Sequence, residues 1–222
     1  MCMRSLALNS RLREARRARG WTQARAAARL GVTQAYLSML ESGVRDAGPL
    51  ARKLVRVYDL SPDVLPLYEV VAHNDTNLAL ELAALGYPGF SHLAARRPKM
   101  NPAVLLLAAL GSENLELRVA EALPWLVVKY PEMPFDWLCR ESCAHTLQNR
   151  LGFVVTLAHA AAPNPVLEAW LSKLADCKLA REDSFCRRLN DAERRWLRTH
   201  ASSEARQWNL LSALRPSDLR HV

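Results

Sequence analysis

The sequence predicts an all-α protein in two parts, a small basic helical domain followed by a larger and nearly neutral one. Three observations lead there. β-Branched residues cluster only in short runs, Val70-Val71, Val127-Val128 and Val154-Val155-Thr156, without the alternation of a half-buried strand. Helix starts and stops are clearly marked along the chain. Positive charge is unevenly placed: through Leu67 there are twelve basic and five acidic residues, and beyond it eighteen basic and seventeen acidic. Nearly all of the net charge of +8 therefore sits in the first third, as in a nucleic-acid-binding module joined to a neutral partner.

The elements follow in order. A first helix carries Leu12, Arg13 and Arg16. Thr22 is placed to cap a short helix ending at Leu30, because its hydroxyl can accept from the free N–H groups of the first turn. Gly31 then leaves the helix at positive φ, which only glycine adopts without cost. Val32 fills the corner and Thr33 caps a second helix through Ser42. Ala26, Ala27 and Leu30 on one helix, and Leu37 and Leu40 on the other, recur at one-turn spacing. Two helices joined by so short a turn meet steeply, the geometry of a helix-turn-helix. Ser61-Pro62 marks another helix start. The first domain is expected over 1–68 and a connector over 69–76, with a helical domain over 77–222 holding five of the six tryptophans. Within it Asn101 to Tyr130 reads as a helical hairpin, weakly similar to one helix pair of a HEAT-type repeat but without a continuing period. Asp136 to Ala162 reads as one long helix with room for a break at Gly152, and Asp136 and Asp191 are cap candidates.

Leu12 to Leu67 resembles the Cro/C1-type (xenobiotic-response-element) helix-turn-helix family of the lambdoid phage repressors. The residues that carry the likeness are Leu12-Arg13, Arg16, Gly20-Trp21-Thr22-Gln23, Ala27, Leu30-Gly31-Val32, Leu40-Glu41-Ser42-Gly43 and Leu60-Ser61-Pro62. The resemblance implies a lambda-repressor-like bundle of five helices whose third helix enters the major groove of DNA. It implies that Gln23 donates to a backbone phosphate and braces Gln34. A glutamine amide pairs bidentately with adenine N6 and N7, so Gln34 is the leading candidate for reading a base. Thr33 and Ala35 share its end of the helix, Ser38 lies one turn on, and Met39 suits a thymine methyl. Arg45 and the arginines of the first helix, Arg13 among them, are candidates for phosphate contacts, which position without reading sequence. Two positions depart from the pattern. Ala26 stands where the family has a larger aliphatic residue, and bulky Tyr36 faces either DNA or a partner.

Other chemistries find little support. Cys139, Cys143 and His145 invite a metal reading, but on one helix His145 points away from the two cysteines, and a structural zinc site wants four ligands. They are read as core residues, with no metal and no cofactor expected. The remaining histidines form no HExxH spacing, and there is neither a glycine-rich phosphate loop nor a nucleophile elbow, so no enzyme is expected. Five cysteines spread over 222 residues do not make a disulfide scaffold. No apolar run nears the roughly 20 residues of a membrane span, and the first residues show no secretory signal, so a cytoplasmic protein without a membrane partner is expected. The expected partner is a double-stranded DNA operator. One such module makes few base contacts, so a homodimer on a palindrome is expected, with the second domain joining the subunits or sensing a ligand or protein. The chain thus reads as a dimeric transcriptional repressor. The alternative is an antitoxin that neutralises a co-encoded toxin through its second domain and represses its own promoter.

Overall fold

The computed structural model describes residues 3–68, 75–93 and 97–222. It is all-α: no strand occurs among the described residues, and only two isolated bridges form, Asn114 with Cys186 and Asp183 with Leu210. The chain forms two compact units. The first runs to Tyr68 and takes in Pro98–Asn101, while the rest of the described chain makes the second. The expected connector falls mostly outside the described residues. The expected second domain also gives up Pro98–Asn101 to the first unit, because the Asn101 amide donates to the carbonyls of Asp63 (3.0 Å) and Leu65 (2.6 Å).

In the first unit α1 (Met3–Ala18), α2 (Gln23–Leu30), α3 (Gln34–Glu41) and α4 (Ala51–Tyr58) enclose one core. Each helix buries the stripe that its spacing dictates. In α4 Ala51, Leu54, Val55 and Tyr58 fall at i, i+3, i+4 and i+7, and all four are buried. Leu12, Leu30, Leu37, Leu40 and Leu54 are fully buried among them. The fifth helix is a single 3-10 turn, Pro62–Val64. Pro66 explains its brevity, since proline drives the preceding residue out of helical geometry, and Leu65 is extended at ψ 152°. Arg11 ties this turn to α1 through an ion pair with the buried Asp63 at 3.1 Å.

The second unit comprises α5 (Asp75–Leu85), α6 (Pro102–Leu110), α7 (Leu117–Lys129), α8 (Phe135–Ala144), α9 (Gln148–Ala161), α10 (Pro165–Asp176), α11 (Asp191–His200) and α12 (Ser203–Gln207). Every residue of α6 is buried, as expected of a helix apolar on all sides. The hairpin of α6 and α7 falls within 101–130, where the sequence puts it. The long helix expected over 136–162 is two helices. It breaks at Thr146, whose φ is 58°, and not at Gly152. Gly152 lies inside α9 for a packing reason: a Cβ there would clash with the Trp208 ring. The indole N–H of Trp208, fully buried, donates to Thr156 Oγ1 at 2.7 Å. The cap candidates also shift. Asn190 caps α11 in a capping box with Glu193, leaving Asp191 in the first turn, and Asp136 likewise lies inside the first turn of α8.

The irregular stretch after α10 is held by two polar residues of α9. Asn149 both donates to the Leu179 carbonyl and accepts from the Leu179 N–H, each at 2.9 Å. Arg150 pairs with both oxygens of Asp183 at 2.9 Å and donates to the carbonyls of Leu110, the last residue of α6, and Ser112 beyond it.

Candidate nucleic-acid interface

Two capped helices and the turn between them place the outward-facing side chains. Thr22 Oγ1 accepts from the Arg25 N–H and Thr33 Oγ1 from the Tyr36 N–H, each at 3.2 Å. Gly31 ends α2 at φ 61°, and its neighbour Val32 returns its N–H to the Ala27 carbonyl. Three residues thus turn the chain from α2 into α3.

Helix α3 is only two turns long, so its inner and outer faces are easily told apart. Leu37, Leu40 and Glu41 are buried. Gln34, Ala35 and Ser38 are exposed, at the i, i+1 and i+4 positions of one outer ridge, with exposed Thr33 at its head. Met39 and Tyr36 are half-buried at the flanks. Tyr36 also packs against the core of its own unit. Arg45 is exposed and forms no side-chain ion pair with any described residue, and its backbone N–H returns to the Met39 carbonyl at 3.1 Å. Its neighbour Val44 is 71% exposed, an apolar tip that the sequence reading does not single out.

Beneath the ridge Glu41 joins three helices. Its side chain has no solvent exposure. It accepts from Arg16 Nε at 2.6 Å, Arg16 Nη2 at 2.9 Å and Gln23 Nε2 at 3.1 Å. Arg16 also donates to the Trp21 carbonyl, and Arg13 donates to the Glu41 carbonyl at 3.2 Å. Burial alone would raise the Glu41 carboxyl. The hydrogen bonds from Arg16 and Gln23, with the charges of Arg16 and Arg13, outweigh it and hold the group below the usual carboxylate range. The same hydrogen bond raises the Arg16 guanidinium. Tyr58, next to this network, is pushed up to about 12 by burial, with the charge of Glu41 adding to the effect.

This network engages three side chains that the sequence singles out. Gln23 does not brace Gln34: its amide goes to Glu41, because a buried carboxylate is a stronger acceptor than a neutral amide. Arg13 is engaged at the C-terminal end of α3, where carbonyls lack helical partners. Arg16 is half-buried, with its donors spread over Glu41 and the Trp21 carbonyl. Arg19 and Arg29 lie over the faces of Trp21 at 5.8 and 4.5 Å. Within residues 11–65, the cations with no side-chain hydrogen bond, ion pair or ring contact to a described residue are Arg17, Arg25, Arg45, Arg52, Lys53 and Arg56. The role of Glu41 had one visible signal. Leu8, Leu12 and Arg16 continue a single buried stripe of α1, and an arginine on such a stripe calls for an acid on the helix it meets.

Against protein-family models, residues 12–65 match the helix-turn-helix family, here of the Cro/C1 type. Comparison of the chain with curated proteins and with solved structures finds no match. No helix among the described residues is long and apolar enough to cross a membrane.

Proposed function

Taking residues 12–65 as a DNA-binding helix-turn-helix domain, we propose that the protein is a sequence-specific transcriptional regulator and not an enzyme, working as a dimeric repressor on a palindromic operator. The observation that carries this reading is the exposed ridge of α3. Gln34, Ala35 and Ser38 stand on a helix whose opposite face is locked by Leu37, Leu40 and Glu41. A reading helix has to be rigid, because a base contact made by a loosely held side chain loses its discrimination to conformational entropy. Surplus cations on the same unit supply the attraction to phosphate that does not depend on sequence. One ridge of this size reaches few bases. Pairing two copies on two half-sites raises both affinity and specificity, and the second unit is assigned the subunit contact.

The test begins with selection of bound sequences from random DNA, followed by affinity measurements on the selected site and on unrelated duplex. Gln34→Ala should weaken binding to the selected site roughly 5- to 150-fold, the equivalent of the ~1–3 kcal/mol of a bidentate base contact. Binding to unrelated duplex should hardly change. Equal losses on both would remove Gln34 from base reading. Light scattering at micromolar concentration should give a dimer, and a monomer there would refute the dimeric reading. Recovery of a co-encoded protein bound to the second unit, toxic when expressed alone, would shift the reading to an antitoxin.

A further inference from the structure

The second unit gathers three thiols for which the DNA-binding reading has no use. Cys139 and Cys143 lie one turn apart on α8, and Cys177 follows the last turn of α10. Their sulfurs all lie within 4.8 Å of one another. The packing of α8 on α10 sets this distance. Phe135 stacks on Trp170 with ring centres 4.5 Å apart and planes 14° from parallel, and Lys173 bonds Asp136 at 3.1 Å. Gln148 donates to the Cys177 carbonyl at 3.2 Å, which pins the turn that carries the third sulfur. All three cysteines are half-buried, so the group is supported by the fold and still open to solvent. His145, the ligand suggested by its closeness in sequence, stands outside the group.

We propose that Cys139, Cys143 and Cys177 form a binding site for a soft, thiophilic metal ion held by three sulfurs, and that Cu(I) is the ion this geometry favours. An all-sulfur donor set selects Cu(I) or zinc over ions that prefer oxygen. Metal–sulfur bonds of about 2.3 Å set a trigonal sulfur–sulfur separation of about 4.0 Å, so the side chains need only small rotations to close on an ion. Structural zinc takes four ligands, and among the described residues no fourth histidine, cysteine or carboxylate belongs to the group. A three-coordinate ion therefore fits better. The thiols give up their protons to solvent as thiolates form on the ion. The Lys173 ammonium, whose charge acts on Cys139, offsets part of the negative charge that three thiolates leave around a monovalent cation. Once bound, the ion would tie α8 to the end of α10.

The test uses full-length protein under anaerobic conditions, with Cu(I) delivered from a chromophoric chelator. One Cu(I) per chain should be taken up, and X-ray absorption on the unmutated protein should show three sulfurs at about 2.3 Å. Replacing the two cysteines outside the group (Cys2→Ser with Cys186→Ser) should leave uptake intact. Cys177→Ser and Cys139→Ser should each lower affinity by roughly 100-fold or more, since even supporting groups of a metal site are worth about 10–100-fold. No uptake, two-sulfur coordination, or full affinity in a folded Cys177→Ser variant would overturn the proposal. So would zinc outcompeting Cu(I) for the same three sulfurs. The absorption measurement needs no variant, and no DNA is present, so the outcome is independent of the DNA-binding reading.

Discussion

Both units use a buried arginine as a clamp, yet they treat the rest of their charge differently. Arg16 in the first unit pairs with Glu41, with 12% and 0% side-chain exposure, and Arg150 in the second pairs with Asp183, with 5% and 18%. Each arginine engages both carboxylate oxygens and also donates to main-chain carbonyls. Around its clamp the second unit balances acids and bases in number and joins several directly, as in Arg187 with Glu113 and Arg198 with Glu182. The first unit has few acids, and two of them, Glu41 and Asp63, are already taken by Arg16 and Arg11. Arg17, Arg25, Arg45, Arg52 and Arg56 stay at the surface. Arginine content alone therefore says little about DNA. What matters is the number of arginines left over after the fold has used its own.

The largest expected effects come from breaking the clamps. Removing one partner of a buried ion pair leaves the other charge stranded, at a cost of about 3–5 kcal/mol. Arg150→Met should lie at the upper end, because the carbonyls of Leu110 and Ser112 lose their donor as well. Glu41→Ala should follow closely, stranding Arg16 beneath the reading helix. Denaturant unfolding gives the size of each loss, and amide hydrogen exchange locates it. Protection should fall in the second unit for Arg150→Met and in α1 to α3 for Glu41→Ala. Uniform loss throughout the chain in both variants would break the comparison of two separate clamps.

Next in size is Gly152→Ala, where the added methyl meets an indole ring that cannot swing aside like the end of a flexible chain. Overpacking of this kind costs about 1–3 kcal/mol. Thermal unfolding of Gly152→Ala, with Gly152→Ala/Trp208→Leu as a relief variant, checks it. If Gly152→Ala costs as much in a Trp208→Leu background as in the wild type, the clash is not with Trp208. A smaller effect follows from the lowered Glu41 carboxyl. A carboxyl lower in the folded than in the unfolded state stabilises fully above its unfolded value, about 4.3 for glutamate, and the contribution disappears as pH falls through the folded value. Acidification below about pH 4 should thus cost the wild type stability that Glu41→Gln has already lost. Parallel acid limbs in the two stability curves would show that Glu41 is not the group titrating.

Helix α3 was legible in the sequence because its determinants are local. Thr22, Gly31 and Thr33 act within a turn of where they stand, and α2 and α3 begin and end beside them. The exposed side of α3 follows from the burial of Leu37 and Leu40 by simple periodicity. What the sequence could not disclose depended on residues far apart in the chain. Gln23 bonds Glu41 rather than Gln34 because three helices converge there. Cys177 comes to Cys139 and Cys143 only through the packing of α8 on α10. The break at Thr146 lacks the glycine or proline that would announce it, whereas Gly152, which looked like a break, serves a tryptophan distant in the chain. Pro66 was a local signal of the short 3-10 turn at Pro62–Val64, and it outweighed the family expectation of a fifth full helix.

The smallest expected effect tests the comparison most directly, because it asks whether leftover charge is what DNA feels. Each phosphate neutralised by a lysine or arginine contributes about −0.9 to the slope of log affinity against log salt. With roughly three to five such contacts per subunit of a dimer, the wild-type slope should lie near −5 to −9. Arg45 is exposed, forms no ion pair with a described residue and lies next to α3, so Arg45→Gln should reduce the magnitude by about two, the contact being lost once in each subunit. Arg13 is partly committed to the Glu41 carbonyl, so Arg13→Gln should change the slope less. In the second unit Arg187 and Arg194 already pair with Glu113 and Glu182, and neutralising both should leave the slope unchanged while the dimer persists. Affinities measured at four or five salt concentrations on one duplex separate these cases. If Arg13→Gln lowers the slope as much as Arg45→Gln does, a main-chain hydrogen bond does not withhold an arginine from DNA, and counting leftover cations would not identify a DNA-binding surface. If the second-unit pair matters as much, an ion pair does not withhold one either, and the second unit would belong with the first as a DNA-binding surface.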